Sequence, residues 1–196
     1  MSAIINASTS SGLIQTADTS GTLELQSNGT TQLTVSSTGS YGQLKSGTAV
    51  AVTGNTVVDF GSIPSWVKRI TVMFNAVSFS SADELVVRLG TSGGVVATGY
   101  ESGYTSGAGT GASTTFGFYQ TNGLGATNTS SGMCVLTNIS GNIWVQTGNC
   151  TRYSSTGSNI SSGRIDLGAQ LTTVRVTGSA GVAFDGAGSV NILYEG

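Results

Sequence analysis

Three features of this 196-residue sequence predict an all-β protein, a jelly-roll-like antiparallel β-sandwich preceded by an N-terminal β-hairpin arm. The first is composition: 30 glycines stand against a single proline, in a background rich in Ser, Thr and Asn. Such residues disfavour helices, because Ser, Thr and Asn compete for backbone bonds and glycine costs about 1 kcal/mol per helical site. The second is that apolar residues still reach 38% of the chain, enough for a core and too many for a disordered polymer. The third is their arrangement. They recur in short alternating runs, no stretch long enough for a helix carries a helical period, and glycine punctuates the junctions.

Residues 1–40 differ from the rest. They contain SGTLELQSNGTTQLTVSSTG, a hairpin whose apolar residues are Leu23, Leu25, Leu33 and Val35. A two-residue Asn28-Gly29 turn sets Leu25 opposite Gln32 and splits the apolar residues between two faces. A three-residue loop, Ser27-Asn28-Gly29, sets Leu23 opposite Leu33 and keeps all four on one face. It also gives Gly29 the left-handed position such a loop needs, and is the expected form. An isolated hairpin is marginal in water. Side chains worth about 1.5–3 kcal/mol each are worth burying only against something else. That something is the main domain, a sister subunit or a larger particle, and the following SSTGSYGQLKSG, which reads as a linker, favours the last two. The expected division is therefore an anchoring and oligomerisation arm, 1–40, and a sandwich domain, 41–196.

From Val50 onward the chain reads as short strands. AVAVT and TVVDF flank Gly54-Asn55. RITVMFNAVSF puts Ile70, Val72, Phe74 and Ala76 on one face, and ELVVRL aligns Leu85, Val87 and Leu89. TTFGFYQ, MCVLTNI, NIWVQ, GRIDL, TTVRVTG, GVAF and SVNILYEG follow. MCVLTNI and NIWVQ form a hairpin turning near Ser140-Gly141-Asn142. A two-residue Gly141-Asn142 turn sets Cys134 opposite Asn149, so two free thiols are expected rather than a Cys134–Cys150 bridge. Strands of this length and spacing close most naturally as two packed sheets. Between them ESGYTSGAGTGAS, TNGLGATNTSSG and GNCTRYSSTGSNISSG read as long loops, a length that is usually functional or held by a neighbour.

Charge and chemistry exclude several classes. The net charge is −2, from seven basic and nine acidic residues. The only basic cluster is Lys68-Arg69, so no nucleic-acid stripe is present and no nucleic-acid partner is expected. No apolar run approaches the ~20 residues of a spanning helix, and the start MSAIINASTSSG lacks the pattern of a secretory leader, so neither a membrane partner nor export is expected. With no histidine, Ser-His-Asp and Cys-His catalysis and the His-containing zinc motifs are ruled out. A pair of carboxylates suffices for glycoside hydrolysis, but adjacent Asp83 and Glu84 point to opposite faces of a strand. The acids read instead as solvated strand ends and turns. GAGTGAS lacks the GK[ST] ending of a phosphate loop. FDGAGS offers Asp185 and carbonyls, a thin set for calcium, as is Asp166, and no cofactor is expected. The aromatic and cationic residues on or near the long loops, Tyr104, Tyr119, Trp144, Arg152 and Tyr153, are the candidates for contact with a receptor or glycan. The competing reading puts Trp144 and Tyr119 in the core and packs Tyr104 on its own loop.

IPSWVKRITVMFNAVS, followed by LVVRLGTSGG and TGY, resembles a segment recurrent in bacteriophage and prophage tail-fibre proteins. FDGAGSVNILYEG is similar to their C-terminal strand, and GLIQTADTSGTLELQSNGTTQLTVSSTG to their start. Together these segments cover residues 12–39, 57–100 and 171–196, while 101–170 matches no such pattern. The resemblance implies a virion-surface component assembled in the host cytoplasm. It implies a homotrimer with its N-terminal part toward other virion proteins of capsid or tail, and carries over no catalytic residue. The absence of a long shaft favours a short fibre, head fibre or capsid decoration protein that meets a host-cell surface glycan. The alternatives are a tail-fibre receptor-binding protein with glycan-binding loops, or a capsule depolymerase. Within this frame Lys68 and Arg69 mark a structural corner. Pro64 stiffens the approach to a long strand and Trp66 packs over the sandwich end. Lys68 lays its stem on apolar surface, and Arg69 points outward toward Asp59, Glu84 or a sister subunit.

Overall fold

The computed structural model describes residues 23–36, 39–40, 44–106, 109–113, 115–153 and 157–196. Among them there is no helix, and every strand pairing is antiparallel. The chain divides into two compact units, Met1–Gln43 and Leu44–Gly196.

In the first unit β1 (Leu23–Ser27) pairs with β2 (Thr30–Ser36), which pairs with β3 (Gly39–Ser40). The turn is the two-residue Asn28-Gly29, with φ of 50° and 74°, the doubly left-handed geometry that matches strand twist. This corrects the expected three-residue loop. The apolar residues nevertheless share a face, because the ladder skips Gln32 and sets Leu25 opposite Leu33 and Leu23 opposite Val35. A bulge in the strand thus does what the longer loop was expected to do.

In the second unit β4 (Leu44–Ser46) and β5 (Val50–Ala51) pair with the last strand, β6 (Val57–Phe60) lies in the other sheet, and β7 (Arg69–Val77) returns to the first. The expected linker therefore ends in a paired strand, and Gly54-Asn55 carries the chain from one sheet to the other. Then follow β8 (Asp83–Thr91), β9 (Gly94–Val95), β10 (Glu101–Ser106), β11 (Gly109–Ser113) and β12 (Phe118–Leu124). The chain closes with β13 (Ser130–Ser140), β14 (Ile143–Arg152), β15 (Ser158–Asp166), β16 (Thr173–Gly178) and β17 (Ser189–Glu195). The larger sheet runs β11-β10-β15-β14-β13-β7-β17-β4, and the smaller β12-β8-β16-β6 with β9 on β8.

The two sheets bury one face of each against the other. Ile70, Val72 and Phe74 from β7, Leu85, Val87 and Leu89 from β8, and Leu136, Val174, Val176 and Ile192 meet there, each at most 4% exposed. Phe79 stacks on Phe184 at 4.6 Å, and Tyr100 meets Phe118 edge-on at 5.0 Å. The Tyr100 hydroxyl is satisfied inside the core, accepting from the Leu89 N–H at 2.7 Å and donating to the Val96 carbonyl at 3.1 Å. Ala76 does not continue the inward row of β7. It has φ 49° and sits in a bulge where Asn75 and Ala76 together oppose Ser131, whose hydroxyl accepts the Ala76 N–H at 2.9 Å. The bulge flips the alternation, so Val77 and Phe79 turn inward instead.

The three segments expected to be long loops are mostly strand. β10 and β11 pair as a hairpin, β12 and β13 extend into the second segment, and β14 and β15 into the third. Their Gly and Asn residues are disfavoured in strands, yet the backbone ladder needs no side chain, and a long neighbouring strand supplies it. The β13–β14 hairpin does turn at Gly141-Asn142, but the ladder then skips Ile139, so Cys134 faces Gly148 and not Asn149. Both cysteines are free and buried.

Burial pushes the Cys150 thiol from 9.0 up to about 12 and Cys134 well above its ordinary value, and it moves Tyr100 from 10.0 to about 12. These folded groups hold protons that the unfolded chain releases, so unfolding is favoured as pH rises. Stability is expected to hold below about pH 9, the ordinary thiol value, and to fall progressively toward about pH 12. Urea midpoints measured against pH would show this, and a flat profile through that window would refute it. At neutral pH a thiol reagent should label neither cysteine faster than the chain unfolds.

The corner at Lys68-Arg69 is structural, with one correction. Residues 64–67 form a turn closed by the Val67 N–H on the Pro64 carbonyl at 3.2 Å. Trp66 packs on the core, and Lys68 is exposed. Arg69 pairs with Glu195 at 3.3 Å, its cross-strand neighbour on β17, while Asp59 is held by Arg175 through bonds of 2.7 and 2.6 Å. Register, invisible in the linear order, decides the partner.

Candidate functional site

The face of the larger sheet turned away from the smaller one carries a shallow trough over β11, β10, β15 and β14. Alternation sends Glu101, Gly103, Ala112, Val145, Ser162 and Arg164 outward, and the trough they line has a volume of about 850 Å³. That lies within the size range of small-ligand clefts. Register explains the grouping: Gly103 faces Ala112 on one side and Ser162 on the other, and Glu101 faces Arg164, which faces Val145. Gly103 leaves the floor low, and Val145 and Ala112 give apolar contact. Glu101 accepts from Arg164 at 2.6 Å, with side chains 66% and 47% exposed, so both ends of the pair still present acceptors and donors to solvent.

A second depression of about 300 Å³ lies beside it over β13, β14 and β15, lined by Met133, Val135, Thr147, Asn149 and Ile160. Met133 is 51% and Ile160 56% exposed. The strip thus passes from a charged, self-neutralised end to an apolar end. An ion pair this exposed contributes about 0.2–1 kcal/mol. Arg164→Ala is therefore expected to leave the unfolding midpoint nearly unchanged, a result checked by thermal or urea denaturation.

The residues singled out in the sequence fall in different places. Trp144 (4% exposed) and Tyr119 (6%) are buried, so neither presents a face to a ligand; this corrects their assignment as contact residues. Their position is set by the alternation of β14 and by the packing of β12 against β10, β14 and β15. Tyr104 is half-buried on the inner side of β10, where its ring covers Gly111 and meets Tyr119 edge-on at 5.1 Å. Tyr153 is 76% exposed in the turn after β14. Arg152 points inward, its terminal nitrogens near Gly123 of β12. The hairpin residues Leu23 and Leu25 are 42% and 40% exposed. The structure therefore brings together Tyr104 and Tyr119, and leaves Tyr153 apart.

Glu101 and Arg164, the polar centre of the trough, were not foreseen. Nothing local marks them, since they lie far apart in sequence and meet only through the β10–β15 register. Asp83 also departs from the expected solvated acids: it is 5% exposed, and its carboxylate accepts from the backbone of the loop after β16. Asp185 accepts from the Ser78 hydroxyl and the Gly186 N–H, and Asp166 from the Gly168 N–H. Among the described residues no group of three His, Cys, Asp or Glu is placed to hold a metal ion, and no helix is long and apolar enough to cross a membrane. No protein-family model matches the chain, and no curated protein or solved structure is significantly similar to it.

Proposed function

We propose that this chain is a bacteriophage virion structural protein, a short fibre or decoration protein anchored by its N-terminal arm and displaying the sandwich toward the host surface. One observation carries the reading. The fibre-like segments fall on the corner, β7, β8 and β17, and β7 and β17 are neighbours inside the larger sheet. The unmatched segment, 101–170, supplies β10 to β15, the wing that bears the trough. A framework of one origin with a distinct outward wing is the organisation expected of a display protein whose contact surface varies with its target. The exposed Leu23 and Leu25 on one hairpin face support the anchoring role, since an apolar face of this kind gains from burial against a neighbour.

The trough favours a second, narrower reading, in which the displayed wing binds a neutral host-surface glycan. Its one acid and one base cancel each other while still offering a carboxylate acceptor and guanidinium donors to hydroxyl groups.

Antibody fragments raised against the β10–β15 wing and imaged on intact particles test the proposal. Label over the head identifies a decoration protein, and label at the tail identifies a fibre. Particles that bear no label, from cells that make the protein, overturn the virion assignment. For the glycan reading, particles carrying Arg164→Ala should adsorb to host cells about tenfold less or worse, the usual scale of losing a charge-assisted contact. Unchanged adsorption would remove the trough as the contact site.

A further inference from the structure

At one end of the sandwich the interior is polar where it should be apolar. Ser130 of β13 stands opposite Arg152 of β14, and Cys150 stands opposite Asn159 of β15. Asn159 is thus the diagonal neighbour of Arg152, and such neighbours lie within about 7–8 Å. Ser130, Cys150 and Asn159 are at most 2% exposed. Across from them β12 places Gly123, with φ 58°, where an added Cβ would lie 3.8 Å from both terminal nitrogens of Arg152. The guanidinium therefore reaches between the sheets toward a position that carries no side chain.

The polar atoms gathered there lack partners. Ser130 Oγ, Asn159 Oδ1 and Arg152 Nε are all buried without a hydrogen bond. The nearest acceptor for the Ser130 hydroxyl is the Cys150 sulfur, an acceptor too weak to hold it against an oxygen anion. Among the described residues the ion pairs belong to Arg69, Arg164 and Arg175, and none to Arg152. Asp83, which faces Leu124 at the end of β12, has its carboxylate occupied by Glu84, Ser179, Ala180 and Val182. Folded proteins seldom leave several buried polar groups unmatched in one place. Water would satisfy a hydroxyl or an amide, but a partly buried cation also needs a negative charge.

We infer that Arg152, Ser130 and Asn159 form a binding site for a small oxyanion, a carboxylate or a phosphate. The guanidinium supplies charge and a forked pair of donors. The Ser130 hydroxyl supplies a third donor, and the Asn159 amide supplies another after a half-turn of its side chain, which exchanges Oδ1 and Nδ2. Gly123 leaves the space open. The site is separate from the outer trough and does not depend on the display reading.

The test uses the full-length, 15N-labelled protein with the Arg152 Nε–H resonance assigned on the wild-type chain. Acetate, inorganic phosphate and glucuronate are titrated separately at constant ionic strength. A saturable shift of that resonance with acetate or phosphate supports a site for free oxyanions. Saturation by glucuronate alone supports a site for an acidic sugar. A flat or linear response to all three through the millimolar range overturns the inference. Ser130→Ala should weaken binding about tenfold, as loss of one hydrogen bond to a charged group does, and an unchanged affinity there overturns the assigned cluster. Because the titration itself needs no variant, the inference stays testable if a variant fails to fold.

Discussion

Replacing Asp83 by alanine is expected to destabilise the sandwich by about 3–5 kcal/mol, the scale of leaving several buried hydrogen-bond donors without their acceptor. The carboxylate accepts the Glu84 N–H at 2.7 Å, the Ser179 hydroxyl at 2.9 Å, and the Ala180 and Val182 N–H groups at 3.0 Å each. It therefore pins the loop after β16 to the start of β8. Alanine would leave those donors facing apolar surroundings, each costing about 1–3 kcal/mol unless water enters. The space admits little, because a Cβ on Gly178 would lie only 1.9 Å from the same carboxylate. Asp83→Asn should lose less, since it keeps one acceptor oxygen. Urea unfolding of both variants reads the difference, and a loss below about 1 kcal/mol in Asp83→Ala would show that the loop does not depend on this carboxylate.

Gly132→Ala is expected to cost at least about 3 kcal/mol, the upper range of overpacking, or to prevent folding. Gly132 lies on β13 opposite Cys150 of β14. An added Cβ there would fall 2.2 Å from the Asn149 carbonyl oxygen and 2.7 Å from the Cys150 Cα, both backbone atoms of the paired strand. No rotamer change relieves such a clash, so β14 itself would have to move, and β15 beyond it. Gly103→Ala is the matched control: its nearest contact would be an ordinary 3.5 Å from the Gly111 oxygen. It should stay within about 0.5 kcal/mol of wild type. Equal losses in the two variants would show that close backbone approach does not set the cost of filling these glycines, since the entropy term favours alanine at both.

The sequence by itself determined the class of fold and the inward rows of its strongest strands. Leu85, Val87 and Leu89 all reach 0% exposure, because the period of two that sets their face is a property of the backbone alone. It also determined the Gly141-Asn142 turn, whose chemistry is local, and the place though not the length of the turn at Asn28-Gly29. Tertiary structure decided what depends on a partner far along the chain. The bulges at Gln32, Ala76 and Ile139 shift the ladders and reassign faces, and each exists only relative to the strand it opposes. The Ser- and Gly-rich segments became strands because a neighbouring ladder satisfies their backbone, which their side chains do not announce. The same reason hid the Glu101–Arg164 pair and the burial of Asp83, and it decided for Trp144 and Tyr119 between the contact and core readings that their sequence left open. Side-chain type sets which residues prefer the interior, but register sets which ones arrive there and what they meet.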